Sequence, residues 1–403
     1  MPRAPSPGPA LNVAALRADT PGCLARNHLN NAGSALMPAP VLEAVREHLE
    51  LEARIGGYEA EDARSAEISA VYDAIGALIN VPPTNVAVVE HATAGFVQAL
   101  SSIPFQRGDV IVTTRDDYVS NQIQFLALEA RLGVELVRVP DAPEGGVNLL
   151  EFEETVHRRR PRLVAVTHVP TNSGLVQDVE AIGAICRRYG VLYLVDACQS
   201  VGQMPVDALR IGCDFLSATA RKFLRGPRGV GFLYVSQDAL DRGLEPLFPD
   251  VRAADWIEDR LYQPAPDARR FETWEFAWAL VLGLGEATRY AMAVGIEPAQ
   301  ERIRALAARA RDGLARLPGA RVLDRGTERC GIVTASFAGH EPAALMRSLR
   351  ERGINTTAQT RGAGVLDFDQ KGVEGALRVS PHYYNTEEEV DALTDALESI
   401  LAR

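Results

Sequence analysis

The sequence predicts an α/β protein built on a mostly parallel sheet covered by helices on both faces. Three observations carry this. Between about residues 40 and 240, seven short apolar runs alternate with helical stretches. Most of the runs place apolar residues consecutively, as strands buried on both faces do. After about residue 284 the alternation stops and a different, Ala/Arg-rich texture begins.

Taken in order, the chain opens with MPRAPSPGPA, four prolines and one arginine without an apolar core. Residues 1–10 are therefore expected to be a disordered arm, neither a secretory signal nor a transit peptide. The helical stretch PVLEAVREHLELEARI follows, and then the runs VAVVE, DVIVTT, VELVRV, RLVAVTH, VLYLVD and DFLSA, with EAIGAICRRYG a helix among them. The seventh run, GVGFLYV, comes after only ARKFLRGPR. That link is too short for a crossover helix, so the seventh strand is expected to run antiparallel. Beyond it, EPAQERIRALAARARDGLARL, RVL, GIVTASF, EPAALMRSLRERG, ALRVSPHYY and TEEEVDALTDALESILA read as helix, strands and helices of a small α+β domain. The predicted division is a large domain over 36–283 and a small domain made of 11–35 and 284–403.

The 403 residues suffice for two domains, and 47% hydrophobic with 24% charged residues is ordinary for a globular protein. A formal charge of −11 argues against nucleic acid or an anionic membrane surface as partner. No apolar run approaches the roughly 18 to 20 residues of a spanning helix. The cysteines, Cys23, Cys186, Cys198, Cys213 and Cys330, lack the paired spacing of a disulfide framework or a zinc site. They fit reduced thiols and a cytoplasmic location, and no metal site is expected.

In open α/β sheets ligands sit beyond the carboxyl ends of the strands. Asp196, His168, Thr114 with the loop to Tyr118, and His91 with Thr93 all follow strand ends. An aspartate at a strand tip needs a partner to remain buried and ionised. Lys222, just past the next strand, is a candidate, and a plain ion pair is the simplest reading of the two alone.

The surrounding motifs say more. FLSATARKFLRGPRGVGFLYV (215–235) resembles the Schiff-base lysine segment of class-V aminotransferases, a group of fold-type I pyridoxal-phosphate enzymes with a cysteine desulfurase and C–S lyase branch. LVDACQSVGQMPVDALRIGCDF is similar to the same family's Asp-x-x-Gln strand. The resemblance runs from about residue 28 to the C-terminus. It implies that Lys222 carries pyridoxal 5′-phosphate and that Asp196 faces the ring nitrogen, so that the protonated ring accepts electrons from the substrate's α-carbon. A free lysine amine, at about 10.4, is a poor nucleophile. A neighbouring cation such as Arg221, with partial desolvation, favours its neutral form.

In HATAGFVQAL the backbone N–H groups of Thr93, Ala94 and Gly95 open a helix and are expected to meet the phosphate. Thr219 matches a family phosphate ligand, and Arg221 stands where many relatives have histidine. Tyr118, from TTRDDYVSNQ, is expected to stack on the ring, and Gln199 to hydrogen-bond its phenolic oxygen. Asn172, in VTHVPTNSGLVQ, is expected near that oxygen and the substrate carboxylate, with Thr171 the other choice. Cys198 reads as packing. GALRVSPHYYNTEEEVDAL matches the family's C-terminal signature and makes Arg378 the clamp for an amino-acid carboxylate. HLNNAGSALMP resembles the family's entry segment, placing Gly33 and Ser34 at the substrate pocket. GGYEAED (56–62), which resembles a segment of the C–S lyase and epimerase subgroup, places Tyr58 at its entrance.

Two departures bear on function. Residues 354–378, INTTAQTRGAGVLDFDQKGVEGALR, carry no cysteine where desulfurases of the family carry a persulfide-forming one. RFETWEFAW puts Trp274 and Glu275 where the family has a small residue and a threonine that reaches the partner subunit's phosphate. Together these give the expectation of a homodimeric pyridoxal-phosphate lyase. It would cleave a C–S bond of a cysteine-derived amino acid by β-elimination, giving an aminoacrylate and then pyruvate and ammonia, without forming a persulfide. An aminotransferase or amino-acid epimerase of the same family is the other expectation, since it needs the same lysine, aspartate and arginine.

Overall fold

A computed structural model describes residues 11–402; the expected arm, residues 1–10, lies outside the described residues. Seven strands form the large sheet: β1 (Val86–Val89), β2 (Val110–Thr114), β3 (Glu135–Val139), β4 (Leu163–Thr167), β5 (Leu192–Asp196), β6 (Phe215–Thr219) and β7 (Gly231–Val235). They are ordered β1-β7-β6-β5-β4-β2-β3. β7 runs antiparallel to both its neighbours and every other pair is parallel. All seven apolar runs are thus strands, and the short link before β7 has the consequence expected of it.

Strand alternation explains how one sheet carries two cores. Val164, Val166, Tyr193, Val195 and Leu216 pack on one face. Leu163, Ala165, Leu192, Leu194 and Phe215 pack on the other. Each such side chain removed from water contributes about 1.5–3 kcal/mol, so the sheet's register is held from both sides. β3, at the edge, begins exposed at Glu135. Helix Trp278–Val294 packs against helices Ala39–Ile55 and Ser65–Ile79 on the first face.

A second sheet of four antiparallel strands is ordered Ala320–Val322, Val333–Phe337, Gly375–Val379, Thr357–Thr360. Helices Ile296–Ala315, Pro342–Glu351 and Glu387–Leu401 share its core. The N-terminal segment joins it through Asn27–His28, paired in parallel with Ile354–Asn355. Three elements carry no apolar signature in the sequence: polar strand Thr357–Thr360, helix Val365–Lys371, and an exposed hairpin of Ala254–Glu258 with Leu261–Pro264. Among the described residues no single helix is long and apolar enough to cross a membrane.

Candidate active site

The carboxyl ends of β4, β5 and β6 lie side by side, with Thr167 opposite Asp196 and Asp196 opposite Ser217. Asp196 ends β5 and is buried. Its Oδ1 accepts from the Cys198 backbone N–H at 2.9 Å and its Oδ2 from Asn121 Nδ2 at 3.2 Å. No cation pairs with it among the described residues. Thr219 ends β6, and Lys222 follows in a tight loop whose Arg225 N–H returns to the Lys222 carbonyl at 2.9 Å.

The Lys222 side chain is buried and makes no hydrogen bond among the described residues. Its Nζ lies 5.8 Å from the centroid of the Tyr118 ring. Burial lowers the amine from its ordinary value, and Arg221 and Arg378 push the same way against Cys198 and Asp196. The half-buried Arg221 guanidinium is itself lowered by burial and donates to the Gly33 carbonyl.

Arg378, on strand Gly375–Val379, is buried without a carboxylate. One guanidinium nitrogen donates to Thr171 at both the carbonyl (3.0 Å) and Oγ1 (2.6 Å), the other to Asn30 Oδ1 at 3.3 Å, and Nε has no partner. Burial and Arg221 hold it down to about 10. A buried guanidinium left this way is a site for an anion. Gln199 donates to Thr171 Oγ1 and the Ala32 carbonyl, both at 3.0 Å, and its Oε1 is buried without a partner.

The structure therefore brings together Lys222, Asp196, Tyr118, Gln199, Thr219, Arg221, Arg378 and the Gly33–Ser34 segment. It separates others. Thr171, not Asn172, joins Gln199 to Arg378; Asn172 Nδ2 instead donates to Asp367 of helix Val365–Lys371 at 2.8 Å. Strand alternation does not extend into the PTNSG loop, so the sequence alone cannot choose between the two. Of the amides expected at the phosphate, Ala94's donates to His91 Nδ1 at 3.0 Å and Gly95's to the His91 carbonyl at 3.2 Å. The cap that starts helix Ala92–Ser101 has taken them, and Thr93's is left. Tyr58 is 69% exposed and lines a cavity of about 560 Å³ with Arg252 and Trp274 that none of the residues around Lys222 borders. Glu275 lies along β1's end, lining a smaller cavity with Val89 and Glu90.

The sequence reading missed Asp117, Asn121 and Thr167, while Thr171 is the alternative it held open beside Asn172. Asp117 and Asn121 stand in the quoted TTRDDYVSNQ, four residues apart, a spacing that puts both near one helix start.

Pyridoxal phosphate fits these residues: an amine held toward its neutral form, a buried carboxylate without a cation, and orphaned polar atoms on Gln199 and Arg378. The model for the family described as Aminotransferase class-V matches residues 27–393. A probable cysteine desulfurase of Methanothermobacter thermautotrophicus is 30% identical, covering 96% of this chain and 97% of its own. A probable hercynylcysteine sulfoxide lyase of Mycobacterium tuberculosis is 30% identical over 92% of this chain and 89% of its own. The apo structure of a cysteine desulfurase from Thermococcus onnurineus superposes with a TM-score of 0.89 at 24% identity, covering 98% of this chain and 100% of that one.

Relatives named as cysteine desulfurases also include those of Pyrococcus abyssi and Shewanella loihica. They overturn the expectation of a pyruvate-releasing lyase that forms no persulfide. That expectation leaned on the missing cysteine in residues 354–378, which bears on where sulfur goes rather than on whether it is removed. With its fold, its lysine–aspartate pair and the match over 27–393, the chain belongs to the class-V aminotransferase family of pyridoxal-phosphate enzymes.

Proposed function

We propose that the protein removes sulfur from a cysteine-class amino acid, as a cysteine desulfurase. Relatives named as cysteine desulfurases support the sulfur chemistry, and what supports an amino-acid substrate is one site with both a buried, depressed Lys222 amine and an Arg378 guanidinium with no carboxylate. Bound there, pyridoxal phosphate supplies the electron sink for the substrate's α-carbon. Lys222 binds the cofactor and, when displaced by substrate, takes and returns a proton at that carbon. Asp196 faces the ring nitrogen, Tyr118 a ring face, and Thr219, Arg221 and the Thr93 N–H the phosphate. Gln199 serves the ring's phenolic oxygen. Arg378, steadied by Thr171 and Asn30, grips the substrate carboxylate through two parallel N–H donors, and Gly33 and Ser34 border it.

Sulfur needs an acceptor. Cys186, Cys213 and Cys330 are buried, and burial pushes each thiol up and away from the nucleophilic thiolate. Cys198 is raised as well, by burial and then by Asp196, and the half-buried Cys23 is raised too, by burial first. The acceptor is therefore a thiol from outside the chain, which leaves as the persulfide while the carbon skeleton leaves as alanine. All five cysteines are unpaired, which supports a reducing, cytoplasmic setting. The working form is a homodimer.

The test is to incubate the holoenzyme with L-cysteine and a small thiol and to measure alanine and persulfide together. Both are expected in equal amounts, and neither with Lys222→Ala. Cofactor-loaded protein that yields no alanine would overturn the proposal.

A further inference from the structure

The buried carboxylate of Asp117 has no task in the reaction as described. It lies between β2 and helix Val119–Leu132 and has no cation partner among the described residues. Hydrogen bonds surround it instead. Oδ1 accepts from the Thr167 hydroxyl, from the Tyr118 N–H at 2.7 Å and from Asn121 Nδ2 at 3.2 Å. Oδ2 accepts from Gln122 Nε2 at 2.8 Å and from Thr113 Oγ1 at 3.4 Å.

A plain helix-start role would need a bond to an N–H of the first turn, and Asp117 makes none among the described residues, since Tyr118 is itself the N-cap. Such a role does not account for Thr167 and Asn121, which come from the floor of the site. Asn121 is the link: the same Nδ2 that reaches Asp117 lies 3.3 Å from Thr167 Oγ1 and 3.2 Å from Asp196 Oδ2. Thr167 spends its hydrogen on Asp117, so toward Asn121 it presents a lone pair. The Asn121 amide is thus pinned with its N–H groups toward oxygens, and one of them is directed at Asp196.

We infer that Asp117, acting through Asn121, is a positioning residue that holds the Asp196 carboxylate in place for the cofactor's ring nitrogen. Two carboxylates served by one amide, buried together, favour a proton close by. A protonated ring nitrogen at Asp196 answers that need, and the second negative charge behind Asp196 strengthens the hold on its proton. Burial raises Asp117 from its ordinary value, with the Thr167 and Gln122 hydrogen bonds opposing and Asp196 adding to it. The inference rests on the pyridoxal-phosphate reading of the site.

Asp117→Asn removes the charge and puts donors against the Thr167 and Tyr118 donors, freeing the Asn121 amide to turn. Two readouts apply, both on holoenzyme without substrate: the dissociation constant of pyridoxal phosphate, and the protonation of the ring nitrogen followed by NMR of isotope-labelled cofactor. Affinity is expected to fall about tenfold, the worth of one charged hydrogen bond, and the ring nitrogen to lose its proton at lower pH than in the wild type. If Asp117→Asn does not fold, Asn121→Ser breaks the same chain at its middle and carries the same expectation. Weaker binding with the ring nitrogen as firmly protonated as before would overturn the inference, since packing damage alone gives that pattern. Unchanged values for both would overturn it too. Wild-type protein that binds no cofactor would instead sink the functional reading itself.

Discussion

At the residue scale, burial decides charge. His168 follows β4 directly, its backbone N–H donates to the Asp196 carbonyl at 2.9 Å, and its Nδ1 has no partner. Burial alone lowers it from 6.5 to about 4. The unfolded chain therefore binds a proton that the native chain refuses. The stability His168 contributes is whole above pH 6.5 and is lost as pH falls through the window down to about 4. Between pH 7 and pH 5 the loss is about 2 kcal/mol. Asp116 and Asp117 work in the opposite sense: burial raises both, so protonation on acidification relieves them. Their effect is common to wild type and to His168→Gln, which has no charge to acquire. Urea unfolding at the two pH values is expected to show the wild type losing about 2 kcal/mol more than the variant. Equal losses would show that His168 is not held neutral.

At the element scale, the site depends on how closely the turn after β5 approaches the loop that carries Lys222. Gly202 sits in that turn with φ +90°, and a Cβ there would stand 2.4 Å from the Leu224 nitrogen and the Phe223 carbonyl carbon. Backbone atoms cannot move aside as a side-chain end does. Gly202→Ala is expected to cost about 1–3 kcal/mol from the backbone conformation, with the clash adding to it, and to push residues 223–224 outward. Because Lys222 is the next residue back, pyridoxal-phosphate affinity falls with stability. A variant that melts lower yet binds cofactor normally would show that the loop yields without moving the lysine. The strands leading into these two elements were the most legible part of the sequence: β5 is apolar up to Asp196, β6 is apolar but for Ser217 up to Thr219, and a strand end is where a side chain leaves the core. Legibility stopped where contacts come from polar loops. Thr171 and Asn172 differ by one residue in a segment without periodicity. Strand Thr357–Thr360 reads TAQT and is an edge, half-buried at best. The helix start at His91 looked free for an anion because a histidine cap on Ala94 leaves no pattern in sequence.

At the scale of the whole molecule, one segment, residues 247–262 with Trp274, leaves large apolar side chains exposed. Phe248 is 82% exposed, Trp256 80% and Leu247 66%, and Val251, Ile257, Leu261, Tyr262 and Trp274 are exposed with them. Scattered apolar residues need no explanation, but a band of aromatics on a projecting hairpin does. A two-stranded ribbon is marginal in water by itself, so the Ala254–Glu258 and Leu261–Pro264 hairpin calls for a covering surface. A second copy meeting the same patch by twofold symmetry would supply one, as the proposed homodimer requires. The patch continues through Trp274 to Glu275 and Phe276, which border the end of β1 ahead of the Thr93 helix. Cover there would close the phosphate end of the pocket as well, which ties assembly to cofactor retention. Light scattering is expected to give twice the chain mass of 43.6 kDa. Phe248→Asp combined with Trp256→Glu places charges at the middle of the band and is expected to yield monomers that release pyridoxal phosphate more readily, with thermal unfolding showing a folded chain. Wild-type protein that stays monomeric at working concentrations would mean that the band is covered by something else. A monomeric double variant that keeps its cofactor as tightly as the dimer would separate assembly from the site.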